Sequence, residues 1–252
     1  MEHHHRELGL IPGRQRSDKY LLTIENPREQ PPPGIMRFRQ QFKHLTDKKK
    51  SVTIYTGSDS MALELQRYGR NKSTLVNKAY IESGEYRRKF DKITDITRVN
   101  KALYDCAKMA LIHRSGTVYE DMYWIDSKTG DIILSVTDSI DERAIIYTDK
   151  IKKTISKIEN IITIHTHPSS MPPSINDFNS CYKNGYRFGV VACHNGKIFI
   201  YSSQQEISQA LYDLYVEAFS EDGFDEFNAQ LKTLEKLREN YLIKFEEVVI
   251  NG

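Results

Sequence analysis

Apolar positions along the chain change period sharply near residue 95. Before it, apolar residues are scattered among prolines and charges. Residues 1–35 carry Pro12, Pro27 and the run Pro31-Pro32-Pro33-Gly34, a stretch that fixes φ and removes donors, and so predicts an extended leader or linker. Residues 36–94 are mixed and basic, with a short strand expected at 51–55 and a helix at 60–68. From Asp95 onward the pattern is regular. Val99, Leu103, Cys106 and Ala110 fall at helical spacing, with Asp95 as the expected N-cap. The β-branched and aromatic run 118–125, the turn Ser127-Lys128-Thr129-Gly130 and the run 132–136 predict a hairpin. Thr148 or Asp149 opens a helix with Ile151, Ile155 and Ile158 on one stripe. The all-aliphatic Ile161-Ile162-Thr163-Ile164 then predicts a buried strand, followed by a helix at 174–182 and a second hairpin turning at Asn195-Gly196.

The tail of the chain, 203–252, reads as amphipathic helices, with Ile207, Leu211, Leu214 and Ala218 on one stripe and Phe227, Leu231 and Leu234 on the next. Strands interleaved with helices predict an α/β or α+β fold, a mixed sheet flanked by helices. Four segments result: a leader at 1–35, a basic region at 36–94, a central domain at 95–202 and C-terminal helices at 203–252.

Composition narrows the function classes. In 252 residues the charged fraction is 28% and the mean hydropathy −0.57. No window approaches the roughly 20 apolar residues of a membrane span, so no membrane partner is expected. No apolar signal segment opens the chain, and three cysteines without a CxxC spacing make no disulfide framework, so a cytoplasmic setting is expected. The net charge of +2 hides an asymmetry: residues 1–100 hold 20 Lys and Arg against 12 Asp and Glu. No DNA-binding motif or aromatic–basic interleaving accompanies this basic arm, so nucleic acid is not the expected partner. The tract His3-His4-His5 lacks a framework to fix metal geometry.

The chemistry concentrates in Ile164-His165-Thr166-His167-Pro168 and Ser174-Ile175-Asn176-Asp177. Strand residues i and i+2 share a face, so His165 and His167 can present two imidazoles to one ion. Pro168 ends the strand. Asp177 falls in the first turn of the next helix, where Ser174 and Asp177 also fit a capping box. Two imidazoles and a carboxylate with a fourth position open are the layout of a catalytic zinc site.

These residues resemble the motif of the JAMM (JAB/MPN-type) zinc metallopeptidases, Glu … His-[Ser/Thr]-His-Pro … Ser-x-x-Asp, over about residues 95–201. The resemblance implies the cytidine-deaminase-like JAB/MPN fold and one Zn2+ per chain held by His165, His167 and Asp177. It places Ser174 beside the bound water or the oxyanion and requires a glutamate upstream. Glu120, in Gly116-Thr117-Val118-Tyr119-Glu120-Asp121, matches that position at the start of the first hairpin strand. Alternation puts Glu120 and Asp121 on opposite faces, so only one of them can reach a metal. The implied activity is hydrolysis of peptide or isopeptide bonds in a peptide or protein substrate, with Glu120 as general base. A homodimer is compatible with the resemblance.

The spacing from His167 to Asp177 is one residue tighter than in eukaryotic deubiquitinase members, and their substrate-gripping insertions are missing. Residues 86–91, 113–117 and 191–196 are similar to bacterial and prophage proteins that attach this domain to phage head proteins. The alternative function is therefore a non-catalytic JAMM-like binding or assembly module, associated with a phage head.

Overall fold

The computed structural model describes residues 72–142, 144–240 and 243–250. The expected leader at 1–35, the strand at 51–55, the helix at 60–68 and the histidine tract lie outside them. Among the described residues are seven α-helices and six strands in one mixed sheet, an α+β architecture. No described helix is long and apolar enough to cross a membrane.

Two short helices come first, α1 (Lys78–Ile81) and α2 (Gly84–Arg88), then the long α3 (Thr97–Arg114). The hairpin β1 (Met122–Asp126) and β2 (Ile132–Val136) follows, then α4 (Asp149–Ile155) and β3 (Ile161–His167). Next come α5 (Ile175–Lys183), the hairpin β4 (Phe188–Cys193) and β5 (Ile198–Ser203), α6 (Gln209–Glu221), α7 (Glu226–Asn240) and β6 (Ile243–Glu247). The sheet order is β2-β1-β3-β4-β5-β6, and only β3 and β4 run parallel, joined by α5 as the crossover.

The pleat divides the sheet between two cores. Tyr123, Ile125, Ile162, Ile164, Val190 and Ala192 pack with α1, α2 and α3 through Ile81, Tyr86, Phe90, Leu103 and Leu111. Met122, Trp124, Ile161, Val191, Cys193 and Phe199 pack on the other face with Ile151, Phe178, Tyr212, Leu234 and Leu237 from α4, α5, α6 and α7. Helices on both sides explain why all seven residues of β3 are buried, and hence why it reads as an unbroken apolar run before its histidines.

Several expectations are corrected in detail. Asp95 does not cap α3; Ile96 occupies the N-cap, and Asn100 folds back to bond the backbone of Thr94 and the carbonyl of Asp91. Thr148 does cap α4, accepting from the Ile151 N–H, and α4 ends at Ile155, before Ile158. Residues 78–90, read only as part of a mixed basic region, form α1 and α2 and bury Tyr86 and Phe90 against Tyr104 of α3. Of the expected stripe, Ile207 and Leu211 pack on the core, but within α6 the buried residue is Tyr212, and Leu214 and Ala218 are exposed. The C-terminal segment is not helical throughout, because β6 pairs antiparallel with β5 and closes the sheet edge.

Candidate metal centre

The site forms at the carboxyl end of β3. His165 and His167 are both buried and share a face, bringing their Nε2 atoms to 3.0 Å of each other. Ligand atoms of Glu120, His165 and His167 all lie within 4.8 Å of one another, and this group could hold a metal ion. Asp177 adds a fourth side chain: its Oδ1 lies 3.2 Å from His165 Nε2 and its Oδ2 3.5 Å from His167 Nε2. The residues that the motif singles out therefore converge, with two carboxylates flanking one imidazole pair.

Asp177 reaches the histidines because of how α5 begins. Ser174 is the N-cap in extended conformation and Asp177 is the third helical residue, forming a reciprocal capping box. The Ser174 hydroxyl accepts from the Asp177 N–H at 3.3 Å and donates to Asp177 Oδ2 at 2.8 Å, while the Ser174 N–H donates to the same oxygen at 2.7 Å. Oδ2 thus takes both bonds of the cap, and Oδ1 is the oxygen presented toward His165. The helix N-terminus also favours the ionised carboxylate. Expected beside a reacting oxygen, the Ser174 hydroxyl donates its hydrogen bond to Asp177.

The orientation of His167 is set by the loop after β3. Its Nδ1 lies 2.9 Å from the Met171 carbonyl, an acceptor only, so Nδ1 carries a proton and Nε2 is the nitrogen turned to the site. That loop is braced in turn: Ser170 sits at φ 60°, its N–H donates to the His167 carbonyl at 3.0 Å, and its hydroxyl accepts from the Asn195 N–H at 3.0 Å. The His165 ring packs edge-on to Tyr201 with centroids 6.2 Å apart, and its buried Nδ1 has no hydrogen-bond partner among the described residues.

Glu120 departs from its expected place. It lies two residues before β1, in irregular lead-in rather than on the strand. Alternation nonetheless continues through it. Met122 and Trp124 face the core on the histidine side and Tyr123 and Ile125 the opposite core, so even-numbered Glu120 points to the histidines and Asp121 away. Asp121 is fully buried, with Oδ2 2.7 Å from His113 Nδ1 and Oδ1 bonded by Arg114 Nε.

The electrostatics follow the geometry. Burial raises the Glu120 carboxyl above the usual carboxylate range, against the opposing pull of His167 and His165. Burial would also raise Asp177, but the charge and hydrogen bond of His165 and those of His167 outweigh it and hold Asp177 well below its usual range. For His167, burial depresses the imidazole, yet the Asp177 hydrogen bond and the Glu120 charge prevail and push it up to about 9. The four groups thus form one charge-coupled cluster.

Cys193 and His194 are both buried, Cys193 donating to the Met171 carbonyl at 3.5 Å and His194 Nδ1 lying 2.7 Å from the Thr74 carbonyl. Tyr186 is buried and accepts from the Trp124 indole at 2.9 Å, whereas Tyr182 is 45% exposed. The Met171 carbonyl and the Arg114–Asp121 pair were not anticipated. A backbone carbonyl leaves no residue-type signal, whereas the helix-ending Arg114 seven residues before an Asp facing away from the site was legible in principle.

No protein-family model matches the chain, and comparisons with curated proteins and with solved structures find no match either.

Proposed function

We propose that the protein is a zinc-dependent hydrolase of the JAMM type, with the JAB/MPN fold, that cleaves peptide or isopeptide bonds in a cytoplasmic peptide or protein substrate. The observation that carries this reading is the convergence of His165 Nε2, His167 Nε2 and Asp177 Oδ1 at separations of 3.0 Å between the nitrogens and 3.2 Å from His165 to the oxygen. A tetrahedral zinc with bonds of about 2.0–2.1 Å spaces neighbouring donors about 3.3–3.4 Å apart, so the donor set suits that ion with little rearrangement. Nitrogen and carboxylate donors together favour zinc over calcium or magnesium, which take oxygen shells. His165, His167 and Asp177 hold the ion in this reading, leaving one tetrahedral position open.

When bound, zinc supplies Lewis acidity, polarising a carbonyl and lowering the pKa of a water toward about 7. The remaining work falls to side chains of this chain. Glu120, on the histidine face but outside the proposed ligand set, accepts the proton of the attacking water at its carboxylate and returns it to the leaving amine. Ser174 keeps Asp177 in place through the capping box, and Met171 keeps His167 in the tautomer whose Nε2 faces the ion.

A peptide-library cleavage profile of the zinc-loaded protein tests the proposal, with Glu120→Gln as the blank. Cleavage that falls by about 100-fold or more in Glu120→Gln while zinc stays bound supports it. Equal cleavage by both proteins, or none by the wild type with zinc bound, contradicts it, the latter favouring a binding or assembly module.

A further inference from the structure

Glu120 stands outside regular structure, two residues before β1. A proton carrier must nevertheless be held to within about half an ångström of its working position. What holds it is its neighbour. Asp121 is tied at four points. Arg114 Nε and His113 Nδ1 take one carboxylate oxygen each, its N–H donates to Thr166 Oγ1 at 3.1 Å, and its carbonyl accepts the Thr166 N–H at 3.1 Å. Thr166 is the residue between His165 and His167, fully buried and facing the side opposite to their rings. Arg114, the last residue of α3 and also fully buried, extends the clamp by donating Nη2 to the Thr137 carbonyl at 2.8 Å, just past β2. The backbone that bears Glu120 is therefore bolted directly to the backbone that bears the two imidazoles.

We propose that Thr166 and Asp121, locked by Arg114, are positioning residues that set the distance from Glu120 to the His165–His167 pair. This deepens the hydrolase reading and rests on it. Neither side chain points to the reacting side of the sheet, so both act through Glu120 alone. Losing the Thr166 hydroxyl frees the Asp121 N–H and lets the lead-in drift, while the metal donors on the other face stay in place. Misplacement by about an ångström typically costs on the order of 100-fold in rate.

The test is a double-mutant cycle between Thr166→Val and Glu120→Gln, with Thr166→Ser as the rescue. Turnover is measured on the best peptide from the library profile and zinc affinity by competition with a chromophoric chelator. The expected result is a 10- to 100-fold fall in kcat for Thr166→Val, with KM and zinc affinity changed less than threefold. Thr166→Ser restores kcat to within threefold, and Thr166→Val adds nothing in the Glu120→Gln background. An equal fall in both backgrounds, or a fall in zinc affinity that matches the fall in kcat, overturns the positioning role and leaves the hydrolase reading standing. Wild-type protein without Glu120-dependent cleavage overturns both. Should Thr166→Val not fold, Asp121→Asn in the same cycle decides by the same criteria.

Discussion

Asp177 and Ser174 hold each other: Oδ2 of the carboxylate accepts both the backbone N–H of Ser174 at 2.7 Å and its hydroxyl at 2.8 Å, leaving Oδ1 turned to His165 at 3.2 Å. One capping box thus does two jobs, starting α5 and aiming a carboxylate. Ser174→Ala is expected to lower stability by about 1 kcal/mol, the usual cost of a lost N-cap. It should also weaken zinc binding by about 10-fold or more, as loss of a ligand's supporting partner commonly does. Thermal unfolding and chelator competition read the two effects separately. Loss of stability with unchanged zinc affinity would reduce Ser174 to a helix cap.

The coupled charges make the metal-free protein sensitive to pH. The folded-state pKa of His167 is raised to about 9 from an ordinary value of 6.5. Its contribution to stability is then fully present below pH 6.5 and is lost as pH rises through about 9. Asp177, held low, contributes stability that is present above its ordinary pKa and is lost as pH falls through its lower folded value. Chelator-treated protein should therefore melt at progressively lower temperature from pH 6.5 to pH 9. In Asp177→Asn the slope should flatten. A wild-type Tm that is constant or rising over that window would contradict the coupling.

The buried Arg114–Asp121 pair predicts an asymmetric response to truncation. Arg114→Leu leaves the Asp121 carboxylate fully buried without its guanidinium, a situation that typically costs about 3–5 kcal/mol. Denaturant unfolding should show that loss, and Arg114→Leu combined with Asp121→Leu should recover part of it. A double-variant loss equal to the sum of the Arg114→Leu and Asp121→Leu losses would mean that the pair is not coupled.

Gly189 on β4 marks a tight contact behind the histidines. A Cβ there would lie 2.1 Å from Cζ of Tyr201, whose ring also packs against His165 and Phe178. Gly189→Ala is expected to destabilise by about 1–3 kcal/mol as an overpacked core. Because the displaced ring supports His165, zinc affinity should fall as well. A variant as stable as the wild type by urea unfolding would show that Tyr201 can swing away.

How much of this was legible in the sequence varied with the kind of force involved. β3 was legible because helices cover both faces of the sheet, leaving an aliphatic run that ends in two histidines. Ser174 and Asp177 were legible because capping chemistry is local. Helices α1 and α2 were not, since four- and five-residue helices owe their order to Tyr86 and Phe90 docking on α3, a contact far along the chain. β6 was missed because Ile-Lys-Phe-Glu-Glu carries charges at an edge strand and gains its hydrogen bonds only from β5. At the site, Glu120 lies with the two histidines and Asp121 bonds Arg114, the opposite sides that alternation assigns them, even though neither lies on regular strand. The clamp from Arg114 through Asp121 to Thr166 was hidden because it exists only once β1 and β3 are paired.

The central claim is that two imidazoles and a carboxylate at the end of β3 bind zinc, and elemental analysis of purified protein tests it most directly. The account predicts one zinc per chain in the wild type, retained in Glu120→Gln and lost in His165→Ala and in His167→Ala. Wild-type protein that stays folded yet takes up no zinc from a stoichiometric supply would contradict it.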